Sequence, residues 1–380
     1  MKRPFADAAA EVLPEDIVIE LLLRLPVKSL MRFKCVCKRW RSLISDPDLA
    51  KTHLQRLKAG DMVSRQRIFK TSPIETIDYQ AYDGVGGIDD RAVVEFHELR
   101  MEDTAWEPYL VGSCDGLVCL FVPGRFLLYN PSTRECKDLP NSDLFQLDEG
   151  WDLPGSDLFE LEELFVGFGY DPRSDDYKIV QGDGVENWQV EIFSLKSASW
   201  RIKQVQPEND LPVTERGVYW NGALHWCVID ESRSRGESVI MSFDLSEEKF
   251  HQVLSVPEVD GEILFEGLGT HGANLFIYHV SIINDCFEAW ITGDNASWTK
   301  FFSVLTDGIS LYKYVKIPAC TRGGKIVFQI DMHQMTLFDP EDDTYEEYPI
   351  QSDNDVESVI YLETLVSPYL GCERSRIESL

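Results

Sequence analysis

The residues of this chain best suited to chemistry are few and scattered. Gly267-Leu268-Gly269-Thr270-His271-Gly272 has the spacing of a glycine-rich cradle whose backbone N–H groups grip a pyrophosphate at the start of a helix. Such a cradle needs a helix after it, whereas ANLFIYHV follows, a run with the aromatic and β-branched make-up of a strand. His225, His271 and His279 sit in apolar runs with no repeated ligand spacing, and read as core or edge residues of strands rather than metal ligands. Glu162 and Glu163 are paired acids in a loop-like stretch, and no GxSxG, HExxH or P-loop occurs. Nine cysteines, an odd number without close-set pairs of metal-ligand spacing, point to reduced thiols and to the cytoplasm or nucleus. We therefore expect no catalytic residue, no metal and no cofactor, and look for function in binding surfaces.

Charge narrows what those surfaces meet. The first 60 residues carry 12 Lys/Arg against 7 Asp/Glu, and the remaining 320 carry 24 against 58, which gives the whole chain its net charge of −29. A body that acidic repels phosphate backbones and anionic lipid heads, which argues against nucleic-acid and membrane partners. It fits a basic protein partner, or solubility alone. No apolar run approaches the roughly 18 residues of a membrane span, and MKRPFADAAAEVLPED has no apolar core followed by a cleavage site.

The first positioning element is helical. Pro14 followed by Glu15 and Asp16 marks a helix start, because proline tolerates the first turn and acids there face the positive end of the helix dipole. Ile17, Val18, Leu21, Leu22 and Leu25 then recur at helical spacing until Pro26. Leu30, Phe33, Cys37, Trp40 and Ile44 continue at offsets of three and four, with basic residues between them, until Ser45-Asp46-Pro47 breaks the pattern. About 45 residues of short helices bury only a limited share of their surface, so part of this apolar set should meet a partner. Phe33, Leu43 and Ile44 read as residues that hold the helices together. Cys35 and Cys37, spaced CxC, would not face the same way on a helix and read as small buried hydrophobes.

Leu13-Pro14, Ile17, Leu25-Pro26, Leu30 and the CVCKRWRSLISDP run with its Trp40 resemble an F-box, over residues 13 to about 56. The resemblance implies docking on a Skp-type adaptor and, through it, on the cullin and RING protein of a ubiquitin ligase. By that similarity Leu13, Pro14, Ile17, Leu21, Leu25, Pro26, Leu30, Val36 and Trp40 would be the adaptor-binding anchors.

Beyond residue 60 the pattern becomes short alternating runs separated by Gly, Asn, Asp and Pro, the mark of many short strands. LLYNPSTREC, EIFSLKSASW, MSFDLSEEKF, EAWITGDNASW and TLFDPEDDTY share one form: an aromatic closing an apolar run, a polar turn, and usually a second aromatic. Anchored on Tyr129, Phe193, Phe243, Trp290 and Phe338, the intervals are 64, 50, 47 and 48. The long first interval contains a duplication: DLPNSDLFQLDE recurs 14 residues later as DLPGSDLFELEE, identical at nine of twelve positions. Earlier hairpins, CDGLVC, WNGALHW, THGANLF and RGGKIVF, complete four strands per repeat. A period of roughly 47 to 50 with four strands is that of a kelch-type propeller blade. Five such units and a degenerate one from about residue 62 to 110 predict about six blades, with a last strand around Val356 to Val366 closing the ring.

GFGYDPRSDDYKIV, VEIFSL, YWNGALHW, SFDLSEEKF and SWTKFF are also similar to the F-box-associated, kelch-like domain of plant F-box proteins, over most of residues 110 to 350. The expected chain is thus an α+β multidomain protein: an N-terminal stretch without fixed structure (1–12), a small helical F-box (13–57), an all-β propeller (62–367) with an acidic duplicated loop (138–163), and a flexible tail (368–380). The resemblance implies a substrate-recognition subunit of an SCF-type ligase, delivering an unidentified protein for ubiquitination and degradation. Within the loop, Asp148, Glu149, Trp151, Phe159, Glu160, Glu162 and Glu163 are the candidate substrate-binding residues, since acids interleaved with aromatics steer and then anchor a basic target. A tolerated surface insertion has the same composition. Three other functions stay open on the sequence: a non-degradative binding scaffold, a self-incompatibility-type receptor for basic ribonucleases, and a kelch-like propeller enzyme with titratable residues converging on the propeller axis.

Overall fold

The computed structural model describes residues 13–71, 74–80, 93–95, 108–122, 125–140, 142, 164–183, 188–205, 211, 213, 215–230, 237–254, 256–257, 267–281, 286–293, 297–305, 315–330, 334–348 and 357–370. Four helices come first: α1 (Glu15–Leu22), α2 (Val27–Phe33), α3 (Lys38–Ile44) and α4 (Pro47–Ala59). Glu15 and Asp16 occupy the first turn of α1, and the two prolines, Pro14 and Pro26, stand immediately before α1 and α2. Ser45-Asp46-Pro47, expected to end the helical pattern, instead starts its longest helix. Asp46 Oδ1 accepts the N–H of Asp48 at 2.8 Å, and Pro47 takes the first helical position, where its missing N–H costs nothing.

Six antiparallel sheets follow, and they form a six-bladed propeller. Blade 1 joins the chain's last strand to its first ones: Ser358–Leu362 pairs antiparallel with Gln66–Lys70, which leads on to Glu75–Ile77 and Val93–Glu95. The expected closure by the last strand is thus observed. Blades 2 to 6 begin with inner strands Tyr109–Cys114, Leu164–Asp171, Val218–Trp220, Gly267–His271 and Val315–Cys320. Neighbouring inner strands adjoin all the way round, from Ser358–Leu362 through blade 6 and back to it. Blade 3 carries a fifth, short strand, Glu215–Arg216, parallel to Leu164–Asp171.

The aromatic repeat is explained by register. Phe193 faces Trp200, Phe243 faces Phe250, and Phe338 faces Tyr345 across the hairpin of the outer two strands, with ring centroids 5.2, 5.1 and 4.6 Å apart. Tyr129 faces Cys136 in the same place. In blade 5 a bulge at Ala289/Trp290 shifts the partner, so that Trp290 faces Lys300 and Trp298 faces Thr292. The apolar core lies between blades: six buried clusters occupy the six inter-blade gaps, filled by residues such as Phe168, Phe243, Trp290, Phe328, Met335 and Phe69.

Strand direction sorts the connections into two faces. In blades 2 to 6 strands one and two meet at the same face as strands three and four, and the blade-to-blade connections leave from the other. Asp115-Gly116 and Asn221-Gly222 make the first kind of turn with positive φ at both residues, 52° and 89°, 49° and 84°, as two-residue hairpins require. The acidic duplicated insert leaves the strand Glu135–Asp138 and returns at Leu164, on the opposite face.

Candidate protein-docking face and its joint to the propeller

The four helices, together with Leu365 from the segment after the last strand, fill a small core in which Leu22, Leu23, Val27, Leu30, Ile44 and Leu49 are buried. Phe33 and Trp40 pack edge to face at 5.3 Å on its margin, and Leu43 is half-buried beside them. Outside this filled core, Leu13 (52% exposed), Ile17 (47%), Leu21 (50%) and Val36 (62%) stand at the surface, with Pro14 exposed between the first two. Leu25, Pro26 and Trp40 are half-buried. Leu30, expected among the anchors, is 0% exposed at the centre of the core and presents no surface to a partner. Helical spacing alone cannot separate a residue on the inner edge of an apolar stripe from one on the outer edge.

Cys35 and Cys37 also differ from expectation: both are exposed. They fall in the link between α2 and α3 rather than inside a helix, and the Cys37 Sγ accepts the Trp40 N–H at 3.4 Å, capping α3. The basic residues around the face are partly paired, Arg39 with Glu15 at 3.1 Å and Arg56 with Glu20 at 2.7 Å.

The helical unit is seated on the face that holds the hairpin turns. α4 packs Leu49 and Ala50 into the helical core, while Leu54 and Leu57 join the cluster between blades 2 and 3. Lys51 reaches Asp175 at 2.8 Å, and Lys58 pairs with Asp115 and lies over the Tyr170 ring. The Lys51 ammonium, followed by the Tyr170 hydroxyl, holds the Asp175 carboxyl below its ordinary pKa. Downstream, Asp61 pairs with Arg322 at 3.1 Å, and the Gly272 N–H donates to Gln66. The strap that follows the last strand, residues 363–370, runs in the same joint, with Tyr369 Oη donating to the Cys136 carbonyl at 2.6 Å. Sequence reading missed this joint. Its only local trace is that the apolar stripe of α4 runs on from Leu49 and Ala50 through Leu54 and Leu57, a turn or two beyond the part that meets the other helices.

A cavity of about 180 Å³ lies at the propeller axis, lined by inner-strand residues including Ser113, Tyr219 and Thr270, and by Tyr278 from a second strand. Arg216, also lining it, donates to the Leu110 carbonyl at 3.2 Å and faces Glu357 at 3.6 Å, which ties the blade 3 connection to blades 1 and 2. His225 borders the cavity, and burial pushes its imidazole down to about 4, so it is neutral at neutral pH. Among the described residues no three His, Cys, Asp or Glu side chains converge as a metal ion would need. Gly267–His271 is a strand and is followed by a second strand, Asn274–Ser281, so the glycine run opens no helix. Asp148, Glu149, Trp151, Phe159, Glu160, Glu162 and Glu163 lie outside the described residues. No helix among the described residues is long and apolar enough to cross a membrane.

A small helical unit with apolar residues left at its surface, seated on a closed six-bladed propeller, is the architecture to be placed among known families. Residues 11–52 match the F-box domain, and residues 78–368 match the F-box associated beta propeller domain. The chain belongs to the F-box proteins that carry this propeller, whose members are typically non-catalytic adaptors. It is similar to an F-box/kelch-repeat protein of Arabidopsis thaliana, 29% identical over 94% of this chain and 96% of that one. It is similar also to the Arabidopsis F-box protein CPR1, at 27% over 87% and 82%, and to F-box/WD-40 repeat-containing protein 1, at 25% over 80% and 73%.

Proposed function

We propose that this chain is the exchangeable substrate receptor of an SCF-type ubiquitin ligase. Its helices dock on a Skp-type adaptor, and its propeller holds a protein for ubiquitination by the cullin and RING components. The observation that carries this reading is the set Leu13, Ile17, Leu21 and Val36, exposed on a helical unit whose interior is already filled. Exposed apolar residues grouped on so small a unit are satisfied by a partner. The substrate binds the propeller face away from the helices, where the acidic insert leaves Asp138 and returns at Leu164. That placement supports a basic target held clear of the adaptor, with the protein itself supplying proximity rather than catalysis.

Co-expression of the full chain with a Skp-type adaptor and a cullin tests the ligase half: a stoichiometric complex on size exclusion is expected, and its absence sinks the proposal. For the substrate half, removing residues 150–163 should leave that complex intact and abolish retention of basic proteins. Unchanged retention would move the substrate site elsewhere on the face.

A further inference from the structure

The helical core is not closed by helical residues alone. Leu365 lies beyond the strand that completes the ring, yet it is buried among Leu22, Leu30, Ile44, Leu49 and Ala50. The next residue, Val366, is buried in the cluster between blades 2 and 3 together with Leu54 of α4. Consecutive side chains of an extended segment point to opposite sides, so two adjacent residues serve two different cores.

The strap is fixed from the propeller side by polar contacts. Asn130, wholly buried, donates its Nδ2 to the carbonyls of Thr364 (3.2 Å) and Val366 (2.6 Å). Thr364 Oγ1 donates to the Asp115 carbonyl at 2.8 Å. Directly beneath, Gly116 has φ +89°, and a Cβ there would overlap the Leu362 carbonyl and the Thr364 side chain. The strap's position is therefore set by the ring, and it presents Leu365 to the helices only once Ser358–Leu362 has paired with Gln66–Lys70.

We propose that residues 363–370 make adaptor docking conditional on closure of the propeller. Helices this short bury too little surface to hold a fixed arrangement alone, and Leu365 supplies the missing contact from the far end of the chain. A chain whose ring has not closed, or whose C-terminus has been lost, presents no ordered docking face and leaves the adaptor free for complete receptors. The docking consequence rests on the ligase-receptor reading, whereas the dependence of the helices on Leu365 does not.

The experiment uses the full chain as wild type, Leu365→Asp and Leu365→Met, with two readouts: hydrogen exchange by mass spectrometry and titration with purified Skp-type adaptor. In Leu365→Asp, exchange across α1 to α3 should rise by about tenfold or more and adaptor affinity fall by a similar factor, because only the ordered fraction binds. The strands Leu117–Val122 and Gln189–Ser194 should keep their protection. Leu365→Met should restore both readouts. Unchanged protection and affinity in Leu365→Asp overturns the proposal. If that variant also opens the ring, Leu365→Ala decides by the same readouts, since it removes only the side chain facing the helices. A wild type with protected helices and no adaptor binding would reject the ligase reading and leave the coupling to be judged on exchange alone.

Discussion

Among the described residues, four exposed large apolar side chains, Leu13, Ile17, Leu21 and Val36, belong to the small helical unit, whereas the much longer propeller exposes Ile202, Ile229 and Leu305, and the strap after it Tyr369. The propeller's three sit singly on blades 3, 4 and 5, as isolated apolar residues do on any protein surface. The helical unit's four surround a core that is already filled. In the propeller, apolar residues are used between blades; in the helices, a second set is left over after the fold is made. That surplus marks a surface made for contact, while the propeller's economy marks a body made to be rigid.

The sharpest way to break this comparison is to damage each region in turn. Phe243→Ala, at a wholly buried position between blades 3 and 4, should lower the stability of the body by about 3–5 kcal/mol in denaturant unfolding, from lost transfer energy plus the cavity left behind. Ile17→Asp with Leu21→Asp should leave the unfolding midpoint nearly unchanged and weaken adaptor binding about 100-fold or more, close to 3 kcal/mol. Equal losses of stability from the two variants would show that the exposed helical residues are structural, and the contrast would collapse.

Acid should separate the regions as well. Burial lowers the pKa of His225, His271 and His279 in the propeller, against His53 alone in the helices, whose Nε2 lies 3.0 Å from the Leu25 carbonyl. A base with a lowered folded pKa stays neutral in the fold while the unfolded chain takes up a proton. Stability from this source is therefore complete above pH about 6.5 and falls as the pH drops toward the folded values. With His225 pushed down to about 4, its share is on the order of 3 kcal/mol at the acid end. Thermal melts between pH 7 and 4.5 should show this decline, and His225→Gln should flatten it. An unchanged slope in that variant would locate the acid sensitivity in the carboxylates instead.

Most of the ring was legible because its signals are local. Asp115-Gly116, Asn221-Gly222 and the aromatic pairs such as Phe243 and Phe250 each report a hairpin within ten residues. The errors lie where one local signal has two meanings. Ser45-Asp46-Pro47 reads as a stop, yet an Asp N-cap followed by proline is equally a start, and α4 begins there. Cys35 and Cys37 looked buried because the apolar spacing was carried through them, although the chain leaves the helix between Phe33 and Lys38. Leu30 shares its stripe with true surface residues and differs only in depth. Leu365 carries no local signal at all, since its partners Leu22 and Leu30 lie over 300 residues away in the chain.

The smallest expected effect concerns the joint where the two regions meet. Lys51 and Asp175 form its most visible ion pair, but both side chains are about half exposed, and water and salt weaken a pair so placed. The apolar contacts of Leu54, Leu365 and Val366 are buried and keep their full strength. Lys51→Ala should therefore cost less than about 1 kcal/mol, leave the exchange protection of α1 to α3 intact, and make no difference to adaptor binding in high salt. If Lys51→Ala instead frees the helices, and salt does the same to the wild type, the joint is electrostatic. The rigidity ascribed to the propeller would then stop at its surface and not extend to the docking face.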